Sequence, residues 1–185
     1  MNTYSEHAIL RLVEAGNKGE ALKAIFNTYG GQLTAICRRY IPIEGDVHDV
    51  LQDTMLQIHR SMGSFKWHGD GSLESWLKRV AANEALQAVR REIRLHEMSL
   101  DDIQEPPDDN DPPYMPQVEP RVLQAMIREL PPGYRAILNM YVFDDFSHKE
   151  ISKELGISIY TSASQLLRAK KILKEKLTKY IKQHE

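Results

Sequence analysis

The stretch DDIQEPPDDNDPPYMPQVEP, residues 101–120, holds six prolines and seven carboxylates with no basic residue. Proline offers no N–H to a helix or sheet and clashes with the preceding turn, so no regular element runs through the segment. Its like charges repel, and it has too little apolar surface to offset the cost of ordering. Whatever the 185-residue chain builds must therefore lie on either side. The expected organisation is two small domains, 1–100 and 121–185, joined by an acidic linker at 101–120. Drawn out at about 3.3 Å per residue, the linker reaches roughly 65 Å, enough for two domains to act at separate places.

The net charge of -2 hides an uneven arrangement. Residues 1–100 carry 12 basic and 12 acidic groups, the linker 0 and 7, and residues 121–185 carry 12 and 7. A basic C-terminal part behind an acidic centre bears on partners, not on fold.

Before the linker the periodicity is helical. Leu22, Ile25, Phe26 and Tyr29 follow helical spacing, and Leu33, Ile36, Cys37 and Tyr40 repeat it beyond Gly30-Gly31. Pro42 to Gly45 breaks the pattern, after which Asp46 is placed to cap a new helix with Asp49 in its first turn. There Val47, Val50, Leu51, Thr54, Ile58 and Met62 form the inward stripe, while Asp49, Gln52, Asp53 and Gln57 share another face. SFKWHGDG, with its rings and two glycines, reads as a loop. It leads into the helix SLESWLKRVAANEALQAVRREIRL, where Lys78, Arg79, Arg90, Arg91 and Arg94 bring positive charge around Trp76 and Asn83.

After the linker, Leu123, Met126, Ile127 and Leu130 mark a short amphipathic helix ended by Pro131-Pro132-Gly133, and Tyr134, Ile137, Leu138, Tyr141 and Val142 mark a second. Ser147-His148-Lys149-Glu150 is a capping-box pattern, and its helix buries Ile151 and Leu155 and stops at Gly156. Ser158 is placed to cap the last helix, whose inward stripe is Leu166, Ala169, Leu173, Leu177 and Tyr180. Helix, short glycine-containing turn, helix is the layout of a helix-turn-helix. With no strand-like alternation anywhere, the expected fold class is all-α.

The residues of familiar catalysis are missing. Seven histidines stand at 7, 48, 59, 68, 96, 148 and 184 with no HExxH motif, and there is no P-loop, dinucleotide fingerprint or serine elbow. No catalytic residue, metal site or cofactor is expected. The single Cys37 cannot form an internal disulfide, no apolar run spans a bilayer, and MNTYSEHAIL lacks a signal-peptide layout. These features read as a cytoplasmic chain that does not insert into a membrane.

Features that suit nucleic acid are present. Between Thr161 and Arg168 the side chains outside the expected core stripe are Ser162, Ala163, Ser164, Gln165, Leu167 and Arg168. Short side chains let a helix approach the major groove, Gln pairs with adenine, and Arg pairs with guanine or phosphate. From Arg168 to Lys182 seven basic residues stand against Glu175 alone. A solvated C-terminal helix would show the same run, but a helix-turn-helix directly before it favours DNA.

Two stretches resemble one family. DVHDVLQDTMLQI followed by SLESWLKRVAANEALQAVRR resembles the second region of sigma-70-type initiation factors, and LPPGYRAILNMYVFDDFSHKEISKELGIS followed by TSASQLLRAK resembles their fourth. With only an acidic linker between, the layout is similar to the small extracytoplasmic-function (ECF) sigma factors. The resemblance implies that Asp49, Gln52 and Asp53 dock on the beta-prime clamp helices of core RNA polymerase, with the beta flap a further contact. It implies that Phe65, Trp67, Trp76, Arg79, Asn83 and Arg90 capture and melt the minus-10 element, though a core role for Trp76 is an equal alternative. It also implies that Ser158, Thr161, Ser162, Ser164, Gln165, Arg168 and Lys171 read the minus-35 duplex. Ala163 and Gln165 stand where the family often has basic residues, so promoter sequence does not carry over. An anti-sigma partner, often membrane-bound, is a further implication. The rival reading is a dimeric helix-turn-helix regulator acting without polymerase, which would leave the α-helical faces upstream of the linker without a task.

Overall fold

The computed structural model describes residues 4–96 and 118–184, and among them every regular element is helical. Most of the expected linker lies outside the described residues; of its last three, Pro120 already opens a helix. The chain divides into two compact units, 1–88 and 89–185, a division that falls within a helix and short of residue 100.

The first unit contains α1 (Glu6–Glu14), α2 (Lys18–Tyr40), α3 (Glu44–Ser61), a 3-10 turn at Met62–Ser64, and most of α4 (Ser72–His96). Helix α2 runs unbroken through Gly30-Gly31. A Cβ on Gly30 would stand 3.2 Å from the ring of Phe26, so the glycine lets that ring lie against the helix, where it stays half exposed.

Helix α3 begins two residues before the expected cap at Asp46. Ile43 holds the N-cap position, Glu44 and Asp46 lie in the first turn, and Glu44 also pairs with Arg38 of α2. Negative charge suits that end of the helix dipole, so Asp46 acts from inside the turn. The inward stripe is as the spacing predicts, with Val47, Val50, Leu51, Thr54, Ile58 and Met62 all buried. Each large aliphatic side chain there contributes about 1.5–3 kcal/mol. Thr54 Oγ1 donates to the Val50 carbonyl at 2.8 Å, so its buried hydroxyl is satisfied within the helix. Cys37 packs beside it, and burial pushes its thiol pKa up to about 11.

The second unit holds α5 (Pro120–Arg128), α6 (Pro132–Val142), α7 (His148–Leu155) and α8 (Ile159–His184). Pro132 takes the first position of α6, where its missing N–H is harmless. The core of this unit is Ile127, Leu130, Ala136, Ile137, Met140, Ile151, Leu166, Ala169, Leu173 and Leu177. One expectation for α6 changes, since Tyr141 and Val142 are exposed; Arg135 and Asn139, which the apolar spacing does not mark, are buried. Arg135 Nη1 donates to the carbonyls of Leu130 (2.8 Å) and Arg128 (3.2 Å), closing the end of α5, and Nη2 reaches Glu92 at 2.9 Å within the same unit. Burial lowers its pKa while Glu92 opposes the shift.

The capping box forms in full. Glu150 N donates to Ser147 Oγ at 3.3 Å and Ser147 N donates to Glu150 Oε2 at 2.8 Å, and Gly156 ends α7 in the left-handed region at φ 69°. Ser158 Oγ then accepts from Thr161 N at 2.9 Å, starting α8 as its spacing predicts.

Candidate nucleic-acid interface

Because Val47, Val50, Thr54 and Ile58 fix which side of α3 faces inward, Asp49, Gln52 and Asp53 are turned outward together and all three are exposed. Spaced three and four residues apart, they form one polar stripe on a rigid helix. It presents two carboxylates and an amide, with the exposed Leu56 one turn further on.

Loop 65–71 and the start of α4 form a second surface. Gly69 and Gly71 hold φ at 109° and 83°, conformations that other residues rarely take. Phe65 packs on Trp76 with ring centroids 5.1 Å apart, so Trp76 is half-buried against an aromatic neighbour. Trp67 is exposed and meets His7 edge-on at 5.2 Å. Trp76, Arg79 and Asn83 share a face of α4 by their spacing, and Arg79 and Asn83 are exposed. Rings with a cation and an amide beside them are what an unstacked base requires. Arg90 differs from the expectation: it falls in the second unit, half-buried and paired with Glu154 at 2.6 Å, so its guanidinium is engaged by protein.

The third surface is the N-terminal half of α8. Ser158 and Lys171 are exposed, and Thr161, Gln165 and Arg168 are half-buried. Ser162 and Ser164 do not face outward as expected. Ser162 is fully buried with its Oγ 2.9 Å from His148 Nδ1, and Ser164 is buried with its Oγ donating to the Thr161 carbonyl at 3.1 Å. Gln165 is turned toward α6, where its Oε1 would stand 3.1 Å from a Cβ on Gly133. Ile159 and Tyr160 are exposed in the first turn of α8 instead.

The sequence marks His148 only as part of the capping box. Its ring stacks on Tyr141 at 4.6 Å while Nδ1 meets Ser162, so one imidazole ties α6, α7 and α8 together. Burial, then the Lys170 ammonium, lowers its pKa. Glu6 and His7, at the start of α1, also touch the loop surface and carry no sequence motif.

Residues 25–94 match Sigma-70 region 2, and residues 121–173 match Sigma-70, region 4. The chain belongs to the sigma-70 family. It is similar to the ECF RNA polymerase sigma factor SigE of Mycolicibacterium smegmatis, 30% identical over 139 residues, which is 73% of this chain and 53% of that protein. The chain thus spans about half the length of that relative. Similarity to the ECF RNA polymerase sigma factor SigM of Mycobacterium tuberculosis is 29% identity, over 90% of this chain and 81% of the relative. The ECF RNA polymerase sigma-E factor of Escherichia coli is 26% identical, over 92% and 95%. In fold the chain is similar to the sigma factor RpoE solved in complex with the anti-sigma factor NepR from Bartonella quintana, at TM-score 0.50 and 21% identity over 80% of this chain and 91% of that one. No helix among the described residues is long and apolar enough to cross a membrane.

Proposed function

We propose that this chain is an ECF-type sigma factor that joins core RNA polymerase and directs it to specific promoters. The observation that carries the reading is the order of three surfaces along one sigma-70 family chain: the polar stripe of α3, the ring-bearing loop with α4, and the helix-turn-helix of α7 and α8. Asp49, Gln52 and Asp53 meet the beta-prime clamp helices, while the second domain approaches the beta flap. Trp76, Arg79 and Asn83, with Phe65 and Trp67, hold a non-template base drawn out of the minus-10 element, where stacking is worth about 1–3 kcal/mol per base. Ser158, Thr161, Gln165, Arg168 and Lys171 contact the minus-35 duplex, with Ser162 and Ser164 holding the helix that presents them.

The chain itself performs no covalent chemistry and acts in the cytoplasm with domains 1–100 and 121–185 joined by the linker. An anti-sigma partner covers these surfaces when the factor is idle. Neither domain needs tight DNA binding alone, because polymerase and linker make the second contact effectively intramolecular. The docking step is tested with Asp53→Arg, which lies on an exposed position and leaves folding nearly unchanged. Co-elution of the variant with core polymerase is expected to disappear in gel filtration. Co-elution equal to that of the wild type would refute the docking assignment.

A further inference from the structure

The start of α4 lacks a capping side chain of its own. Its N-cap position is Gly71, which has only a backbone to offer, and the helix begins at Ser72. The missing acceptor comes from 65 residues upstream. Glu6 Oε2 accepts from Gly71 N at 3.0 Å, and Glu6 Oε1 accepts from Glu74 N at 3.1 Å. One carboxylate thus closes both the last residue of the loop and the third helical N–H, at the end of the helix where negative charge is favoured.

The surroundings of Glu6 tie it in place. Its helix is capped by Ser5, whose Oγ accepts from Ala8 N at 3.3 Å, and Tyr4 N donates to Thr28 Oγ1 of α2 at 3.0 Å. Tyr29 is buried beneath, its phenol pKa raised by burial and then by Glu6 and Glu74. The next residue, His7, places its ring edge-on to Trp67 at 5.2 Å, so α1 touches the loop at two points.

The loop holds little of its own shape. Its internal bonds are Phe65 N to Met62 O (3.3 Å), Ser72 N to Gly69 O (3.1 Å) and His68 N to Ser72 Oγ (3.2 Å). With glycines at 69 and 71, a chain of this kind has many alternative conformations once untied.

We infer that Glu6 is a positioning residue for strand capture: by pinning Gly71 and the first turn of α4, it holds Phe65, Trp67 and Trp76 in the arrangement that receives an unstacked base. The inference rests on the proposed function of the loop and α4. In that account α1 is part of the minus-10 reading apparatus, although it touches no DNA.

The test uses the full chain assembled with core polymerase. The probe is a fluorescent single-stranded oligonucleotide carrying the non-template minus-10 segment of a promoter that the wild-type protein transcribes. Glu6→Ala removes both acceptors, and Glu6→Gln keeps one carbonyl oxygen. Loss of a charge-assisted hydrogen bond predicts single-strand binding on the order of tenfold weaker for Glu6→Ala, with Glu6→Gln intermediate. Core association and affinity for minus-35 duplex are expected to stay at wild-type values. Equal single-strand affinity of wild type and both variants would overturn the inference. So would a parallel loss of core association, which would make Glu6 a general scaffold residue. If the wild-type holoenzyme itself fails to bind the strand while binding minus-35 duplex, the reading of the loop falls first and the inference with it.

Discussion

Ser162→Ala isolates the bond that ties α8 to α7. The Ser162 side chain is fully buried, and its Oγ lies 2.9 Å from His148 Nδ1, which also stacks on Tyr141 at 4.6 Å. Deleting the hydroxyl removes one neutral hydrogen bond and leaves a small void, a loss of about 1 kcal/mol, or about fivefold in the local opening equilibrium. Both tryptophans, Trp67 and Trp76, lie in the first unit, so their fluorescence does not report on this contact. Amide hydrogen exchange across residues 148–170 does, with opening about fivefold more frequent expected in the variant at neutral pH.

The same network has an acid arm whose sign is fixed by the structure. The folded His148 pKa lies below its ordinary value of 6.5 because of burial and then Lys170, while the unfolded chain titrates near that value. Below about pH 6.5 the unfolded state therefore binds more protons, so the stabilisation is complete above that pH and is lost as pH falls toward the folded pKa. Protection of α7 and α8 is expected to decline between pH 7.5 and 5.5, after correction for intrinsic exchange rates, and His148→Gln should remove that decline. Unchanged exchange in Ser162→Ala, together with an identical acid response in His148→Gln, would refute the role assigned to this contact.

Asn83→Ala should impair promoter opening more than duplex binding, because Asn83 is exposed beside Trp76 and Arg79 on α4; permanganate footprints identical to wild type would refute that role. Arg135→Ala should destabilise the second unit by about 2–4 kcal/mol, since the buried guanidinium serves two carbonyls of the α5 end and Glu92, and chemical denaturation followed by hydrogen exchange measures the loss. Cys37, buried with its pKa pushed up to about 11, should resist iodoacetamide in the native state at pH 8 and react once the chain is unfolded; rapid native labelling would contradict its placement.

Local chemistry made much of this architecture readable. The α3 stripe, the Ser147 capping box, the left-handed Gly156 and the Leu166 to Leu177 face of α8 each follow from spacing or from one residue's backbone preference, and all appear as expected. The departures turn on the partners that folding brings to each side chain, some near in sequence and some far. Ser162 reads as an exposed polar residue until His148, fourteen positions earlier, is folded against it. Arg135 and Asn139 occupy the interior because α5 ends over the Arg135 guanidinium and the Asn139 amide donates to the Arg135 carbonyl at 2.9 Å. Helix α1, which Ser5 caps, lies outside the expected elements, and the importance of Glu6 shows only when Gly71 and Glu74 arrive beside it. The exposed α3 face was legible for the opposite reason, since a fully buried stripe leaves its other residues only one place to point.

The most direct measurement is in vitro transcription on a genomic promoter library, using the purified chain and core polymerase and sequencing the transcript starts. The account predicts starts that appear only when the chain is added, each preceded by a shared two-part motif whose halves correspond to the minus-35 and minus-10 surfaces. No new starts, combined with tight binding of the chain alone to palindromic duplex, would contradict it.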